Sequence, residues 1–318
     1  MGQSLFERCS ALSSVLRETP LVQLTASSIN LFAKLESHNS FGSLKARPAL
    51  WIIRCASERG DIDEGTNLVE SSSGNFAAAL ALYARLLGLR FIPVIDPNIS
   101  ATYEDLLRRN CADVVKVTEP DESGGFLKTR LKKVEELCAT LDNCFWTNQY
   151  SNLDASESHY RFTAEEICSR FSSLDYVFIG VSTGATIAGI SRRLKEKFPR
   201  VCIVAVDAEG SVIFGGPPRK RQISGIGSSI RPPLLEHAII DEVAIIPEIE
   251  AVQACRELLW KHGLFVGGSS GSCYAAVKRY LPKIRSSSPP NVLFLCADGG
   301  AAYAKTVFND AWTAKLEQ

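Results

Sequence analysis

The chain has 318 residues and balances 35 basic against 35 acidic side chains, for a formal net charge of zero. That balance excludes the one-signed field with which proteins gather nucleic acid or anionic membranes. No apolar run approaches the ~20 residues a bilayer-spanning helix needs, and the length suffices for two cores.

The opening Met1-Gly2-Gln3-Ser4-Leu5-Phe6 has no basic region, apolar stretch or cleavage site, and Phe6 breaks the myristoylation pattern. A cytoplasmic protein is expected. Apolar periodicity predicts a helix over 5–17, then strands over 19–24 and 31–36. The chain next enters the turn Asn39-Ser40-Phe41-Gly42-Ser43-Leu44-Lys45-Ala46-Arg47. Ser43 is the expected N-cap of a helix over 44–57. Lys45 falls in its first turn, where a cation opposes the positive end of the macrodipole. A lysine placed for helix stability alone belongs at the other end.

Strand patterns follow at 67–70, 90–95, 113–117 and 143–147, alternating with helices at 75–87, 101–109 and 126–139. The last puts Phe126, Leu127, Leu131, Val134, Leu137 and Cys138 on one face. This alternation implies a parallel sheet covered on both sides. A second α/β series runs through helix 158–170, strand 176–181, helix 186–197, strands 202–207 and 238–246, helices 248–262 and 270–281, and strand 291–296. Residues 208–234, rich in Gly, Pro, Ser and Arg, read as an irregular loop, and 286–291 as a plain connection. The expected fold is α/β: two three-layer lobes around largely parallel sheets, with binding turns facing a cleft outside the carboxyl ends of the strands.

Besides the Lys45 turn, Ser/Gly-rich turns between an apolar run and a helix pattern occur at Ser71-Ser72-Ser73-Gly74-Asn75, Ser182-Thr183-Gly184-Ala185-Thr186 and Gly267-Gly268-Ser269-Ser270-Gly271. Small residues and free amides at helix starts make anion sites. Together these turns point to a phosphorylated cofactor and a carboxylate substrate, with one lysine to react. No G-x-G-x-x-G or P-loop follows a strand, which argues against a nucleotide site. The ten cysteines are scattered from Cys9 to Cys296, without a C-x-x-C pair or a histidine at zinc spacing, and read as small buried thiols.

In this order, Lys45 and the three turns resemble fold-type II pyridoxal-phosphate enzymes, the cysteine synthase and cystathionine β-synthase family, from about Thr19 to Lys305. The resemblance implies a tryptophan-synthase-β-like fold and a homodimer. It also implies a smaller lobe over 41–147 and a larger one from 8–40 and 148–306 that carries the cofactor's phosphate turn. It makes Lys45 the Schiff-base lysine and the base at the substrate Cα, with Gly42, Ser43 and Arg47 fitting the family's turn. Asn75 then serves the phenolic oxygen of pyridoxal 5′-phosphate, and Ser182, Thr183, Gly184, Ala185 and Thr186 its phosphate. Ser269 takes the ring nitrogen, with Ser270 as its equally polar neighbour. Ser72, Ser73, Gly74 and Gln149 take the α-carboxylate of an amino-acid substrate. Ser40, Ala46 and Phe76 depart from the family's usual proline, acid and threonine.

Tyr150 and Ser182 replace the phenylalanine and glycine usual in cysteine synthases, and their hydroxyls suit a charged second substrate. With Ser158-His159-Tyr160, the run Val204–Gly215 and Gly225-Ile226-Gly227, they are similar to a branch that joins O-phospho-L-serine to L-glutamate. That branch releases phosphate on the way to 2,3-diaminopropionate and siderophores. The alternative is a cysteine synthase using O-acetylserine or O-phosphoserine with sulfide; a non-catalytic protein of the same fold is disfavoured by the intact Lys45. For the departing phosphate, Arg219-Lys220-Arg221 and above all Arg231 are the candidates.

Overall fold

The computed structural model describes residues 3–122, 124–284 and 289–316. Residues 286–288 of the expected connection lie outside them. In chain order the elements are α1 (Leu5–Leu12), β1 (Leu21–Leu24), β2 (Asn30–Leu35), α2 (Ala46–Arg59), β3 (Asn67–Ser71), α3 (Asn75–Leu87) and β4 (Arg90–Ile95). Next come α4 (Ala101–Asn110), β5 (Val115–Lys116), α5 (Leu127–Thr140), β6 (Cys144–Trp146), α6 (Leu153–Ser158) and α7 (Glu165–Arg170). The remainder is β7 (Tyr176–Gly180), α8 (Ala185–Lys197), β8 (Cys202–Ala208), β9 (Glu242–Ile246), α9 (Glu248–His262), α10 (Gly268–Tyr280), β10 (Asn291–Cys296) and α11 (Asp310–Thr313).

Two compact units result. One comprises Met1–Arg17 and Lys45–Ser158, the other Glu18–Leu44 and His159–Gln318. In the first, a four-stranded parallel sheet runs in the order β5-β4-β3-β6. The chain builds outward from β3 through β4 to β5, then returns to add β6 on β3's other side. The crevice of an open α/β sheet forms at such a reversal, which here lies between the ends of β3 and β6. Val69, Ile92 and Val94 form the core beneath Val134 of α5.

The second unit holds a six-stranded sheet in the order β1-β2-β10-β7-β8-β9, parallel except for the antiparallel β1–β2 pair. Its reversal falls between β7 and β10. The continuous apolar strands split by the period-two rule. Phe178, Val204, Val206, Val292 and Phe294 pack with α9 and α10. Val177, Ile179, Ile203, Ala205, Leu293 and Leu295 pack with Ile187, Ile190 and Leu194 of α8. Helices therefore cover both faces, a three-layer α/β arrangement.

Some boundaries move, for local reasons. The α-helix expected over 5–17 stops at Leu12, beyond which Ser13–Val15 form a 3-10 turn. There the Ser13 and Ser14 hydroxyls take the carbonyls of Cys9 and Ala11, the competition with backbone that weakens serine in helices. The helix expected from 44 starts at Ala46 with Lys45 as its N-cap. Ser43 is no cap: it is extended, buried and bridged to Asp298, and the Leu44 amide donates to the Ala297 carbonyl. The strand expected over 238–246 begins only at Glu242. The helix expected over 158–170 contains a π-turn at His159–Ala164.

Candidate active site

At the end of the second unit's first segment, the backbone is left-handed at both Phe41 (φ 65°) and Gly42 (φ 74°); Lys45 then opens the second segment of the first unit. Glycine adopts this conformation freely, whereas a phenylalanine does so only at a steric cost. Lys45 is half-buried at the head of α2, and Arg47, two residues further, is fully buried.

The turn after β3 is built from its own hydroxyls. Ser72 Oγ accepts from the Ala77 amide at 3.2 Å and so ties off the start of α3. Ser73 Oγ accepts from Arg130 Nη1 at 2.9 Å and donates to Asp96 Oδ2 at 3.2 Å. Arg130 and Asp96 also pair at 3.2 Å, both largely buried. Asn75 is the first residue of α3, and its side-chain oxygen accepts from the Tyr103 hydroxyl of α4. Because that oxygen is taken, the amide has one orientation, with Nδ2 as its donor end.

The turn after β6 meets the turn after β3: Gln149 Nε2 donates to the Ser71 carbonyl at 3.0 Å. Beneath both lies Glu70, fully buried, accepting from Thr147 Oγ1 at 2.6 Å. Tyr150 beside Gln149 is half-buried. Thus Ser72, Ser73, Gly74, Asn75 and Gln149 gather at the reversal between β3 and β6.

Sequence reasoning missed Tyr103, Asp96, Arg130 and Glu70. Arg130 carried a signal, since it stands three residues after Leu127 and four before Val134, within the apolar stripe of α5. So did Glu70, a lone carboxylate in the apolar strand Leu68-Val69-Glu70. Tyr103, on a polar surface helix, carried none.

In the second unit, Val181–Gly184 follow β7 and lead into α8. Gly184 sits at its N-cap with φ 86°, and a Cβ there would lie 3.0 Å from the Leu235 amide nitrogen, so the position requires glycine. Ser182 Oγ donates to the Gly227 carbonyl at 3.1 Å, and the Gly227 amide returns a bond to Val181 at 2.8 Å. This joins the turn to the glycines of 225–227. Thr183 and Ala185 are buried. Thr186 Oγ1 lies 3.4 Å from Nε2 of the buried His159, whose Nδ1 lies 3.0 Å from Thr163 Oγ1 across the π-turn.

At the start of α10 the two adjacent serines separate. Ser270 Oγ accepts from the Ala297 amide at 3.2 Å and is fully buried, which gives it a structural task; Ser269 precedes it in the first turn. Gly267 is packed so closely that a Cβ would fall 2.1 Å from Asp298 Oδ1. In the loop, Arg219 pairs with Glu209 at 2.6 Å and Arg221 donates to the Gly210 carbonyl at 2.7 Å. Arg231 is exposed and donates to the Ile213 carbonyl at 3.1 Å.

Among the described residues no helix is long and apolar enough to cross a membrane, and no group of three or more His, Cys, Asp or Glu is placed to hold a metal ion.

The family described as "Pyridoxal-phosphate dependent enzyme" matches this chain over residues 12–298. The chain belongs to that family. It is 42% identical over 303 residues to an N-(2-amino-2-carboxyethyl)-L-glutamate synthase of Ralstonia nicotianae, covering 94% of this chain and 89% of the relative. A protein of the same name from Cupriavidus metallidurans is 42% identical over 314 residues, covering 97% and 92%. Among solved structures, the O-acetylserine dependent cystathionine β-synthase of Helicobacter pylori superposes with a TM-score of 0.84 at 28% identity, covering 96% of this chain and 98% of the other.

As a pyridoxal-phosphate enzyme the chain uses pyridoxal 5′-phosphate and acts on small amino acids. The donors of the α8 turn fit that cofactor's phosphate. Gly184 opens the positive end of a helix of 13 residues, and the turn adds hydroxyls while holding no acidic side chain.

Proposed function

We propose that this pyridoxal-phosphate enzyme joins O-phospho-L-serine and L-glutamate to N-(2-amino-2-carboxyethyl)-L-glutamate, with release of phosphate, in 2,3-diaminopropionate biosynthesis. The observation that carries this reading is the 42% identity, over 94% and 97% of the chain, to two relatives named for that product. A homodimer in the cytoplasm completes the reading. All ten thiols are unbridged, which suits a reducing compartment, and the dimer rests on the family resemblance.

When bound, pyridoxal phosphate supplies the electron sink that acidifies the amino acid's Cα–H and lets the β-substituent depart. Lys45 Nζ anchors the cofactor, then takes the Cα proton and returns it once the new C–N bond has formed at Cβ. Ser182, Thr183, Gly184, Ala185 and Thr186 hold the phosphate through amides, threonine hydroxyls and the positive end of α8, Ser182 by its amide because its hydroxyl serves Gly227. Asn75 Nδ2 donates to the phenolic oxygen, its orientation set by Tyr103. Ser269 faces the ring nitrogen as a neutral partner, which favours prompt loss of the β-substituent over transamination. Ser270 is the weaker choice because its hydroxyl serves Ala297.

Ser72, Ser73, Gly74 and Gln149 take the α-carboxylate, and Tyr150 adds a hydroxyl for the charged second substrate. The departing phosphate dianion needs positive potential. Arg130 is better placed to supply it than Arg231, since it bonds Ser73 itself whereas Arg231 bonds Ile213. Phosphate leaves from Cβ with the bonding pair, the glutamate amine forms the C–N bond, and that amine loses a proton.

Holoenzyme given O-phospho-L-serine with L-glutamate, and separately with sulfide, provides the test. Mass spectrometry is expected to find the conjugate, with phosphate released in equal amount. Cysteine from sulfide with no conjugate from glutamate would overturn the reading in favour of a cysteine synthase.

A further inference from the structure

Glu70 lies at the carboxyl end of β3, one residue before the substrate turn, and is fully buried. Donors surround it. The Ser71 amide reaches Oε1 at 2.8 Å, while Thr147 Oγ1 and the Gln149 amide reach Oε2 at 2.6 and 3.2 Å. Ser71 opens the turn after β3, and Thr147 and Gln149 belong to the turn after β6. Asn148, between those two contacts, is left-handed with φ 46°. Such a conformation at a non-glycine residue persists where neighbours over-determine it. An ionised carboxylate only accepts, whereas a protonated one must aim an O–H at a partner. Both backbone partners here are N–H groups, so the charged form fits the arrangement.

We infer that Glu70 is a positioning residue for the donor amino acid: its carboxylate locks the turn after β6 onto the turn after β3, so that Gln149 and Ser72–Gly74 meet the α-carboxylate in one fixed register. This rests on the reading that those two turns bind the α-carboxylate, and is independent of which second substrate is used.

Burial opposes the charge. Desolvation pushes the Glu70 carboxyl up to about 7, against hydrogen bonds from Thr147, Gln149 and Ser71 that hold it down. No charged side chain offsets the burial. From α5 the titratable neighbour is the Cys138 thiol, which burial pushes up to about 12 and so keeps neutral. Arg130, also on α5, is engaged with Asp96 at 3.2 Å and with Ser73 at 2.9 Å and is not among the groups that shift Glu70. The lock therefore closes as pH rises through about 7 and opens below it. Stability runs the other way. An acid whose folded pKa is raised holds its proton more tightly in the native state, so its contribution falls as pH climbs from 4.5 to about 7.

The test uses holoenzyme and L-serine, whose side chain does not titrate in this range. Two signals are followed against pH: serine affinity, from the cofactor's absorbance change, and amide hydrogen exchange in the segment 146–152. In the parent protein both affinity and protection are expected to rise through about pH 7. Glu70→Gln is expected to bind serine about ten-fold more weakly, without the pH step, while retaining cofactor. Thr147→Val removes one bond to the charged form and moves the step to higher pH, whereas Thr147→Ser keeps the donor and leaves the step in place. If Glu70→Gln does not fold, the Thr147 pair decides. A Thr147→Val step that coincides with the parent's, or wild-type affinity and protection in Glu70→Gln, overturns the assignment. Failure to form the glutamate conjugate touches none of these signals, so the two readings fail separately.

Discussion

Under the proposed reaction, replacing Arg130 should separate the leaving groups. Arg130→Lys keeps a cation near Asp96 but loses the planar guanidinium whose Nη1 reaches both Ser73 and Asp96. Turnover of O-phospho-L-serine is expected to fall about ten- to hundred-fold, the weight of a charge-assisted hydrogen bond of roughly 1.5–3 kcal/mol. O-Acetyl-L-serine should lose much less, and equal losses on both donors would leave Arg130 a structural residue. Tyr103→Phe removes a bond that orients the Asn75 amide, so the variant is expected to bind cofactor more weakly, by about 1 kcal/mol, as read by titration of the apoenzyme. Lys34 is fully buried and donates to Glu166 at 2.6 Å and to the Thr19 carbonyl at 2.6 Å. Glu166→Gln strands that charge and should cost about 3–5 kcal/mol in denaturant unfolding, most of it recovered in Lys34→Met with Glu166→Leu. Single residues were legible in the sequence when they broke a local rule. Lys45 did so as a cation at the wrong helix end, and Glu70 as a charge in an apolar run. Their partners were not legible, because Thr147 reaches Glu70 from 77 residues away and no local pattern encodes that distance.

The elements that carry the proposed cofactor contacts are held by close backbone approach. At Gly271 in the first turn of α10, a Cβ would fall 2.3 Å from both the Ala251 carbonyl oxygen and Cys255 Sγ of α9. Gly271→Ala should therefore push α10 away from α9, costing about 1–3 kcal/mol and disturbing Ser269 two residues earlier; unfolding midpoints and cofactor titration check both. The same helix pair is clasped by Glu257, whose oxygens accept from Lys261 at 2.8 Å and Lys278 at 2.6 Å. Burial alone would raise this carboxyl, but the two lysines outweigh it and draw it down to about 2. An acid with a depressed folded pKa stabilises above its ordinary range and loses that contribution as pH falls toward 2. Glu257→Gln should thus destabilise at neutral pH by about 1 kcal/mol, after allowing for solvent screening, and by nothing at the acid end. Periodicity located most of these helices, since each has a continuous apolar stripe. It misplaced the start of α2 because Ser43 and Leu44 are claimed by Asp298 and Ala297, a tertiary pairing stronger than a serine's capping preference. It also missed the π-turn at His159–Ala164, where one histidine bonds hydroxyls on two helical segments.

Alternation of strands and helices made two parallel α/β sheets legible, but not their strand orders. Order depends on which edge a returning strand joins, and β6 and β10 each return across the sheet to the far side of an earlier strand. The reversals so created are where the turns after β3 and β6 and the α8 turn lie. Cofactor binding should register across the molecule: at a hundred-fold excess over its dissociation constant, a ligand of the native state adds about 2.7 kcal/mol. Removing pyridoxal phosphate is therefore expected to lower the unfolding midpoint. Lys45→Ala is expected to lose both the lysine-linked absorbance and turnover, since no other lysine stands on a comparable turn.

The place of β10 in its sheet has a consequence in time. Strand β2 pairs with β10 from Asn30 opposite Asn291, 261 positions apart, and β10 in turn joins β2 to β7. On the ribosome, the β1–β2 hairpin emerges early and then carries an open edge through most of translation, as does β7 for a shorter interval. An unpaired edge is a template for the wrong neighbour. A stop codon just before Asn291 removes no edge strand; it takes the central one and leaves the two halves of the sheet unjoined. Translational pauses late in the message lengthen the most aggregation-prone stage of this protein's life, and holding chaperones should be needed up to the moment the final strand leaves the exit tunnel.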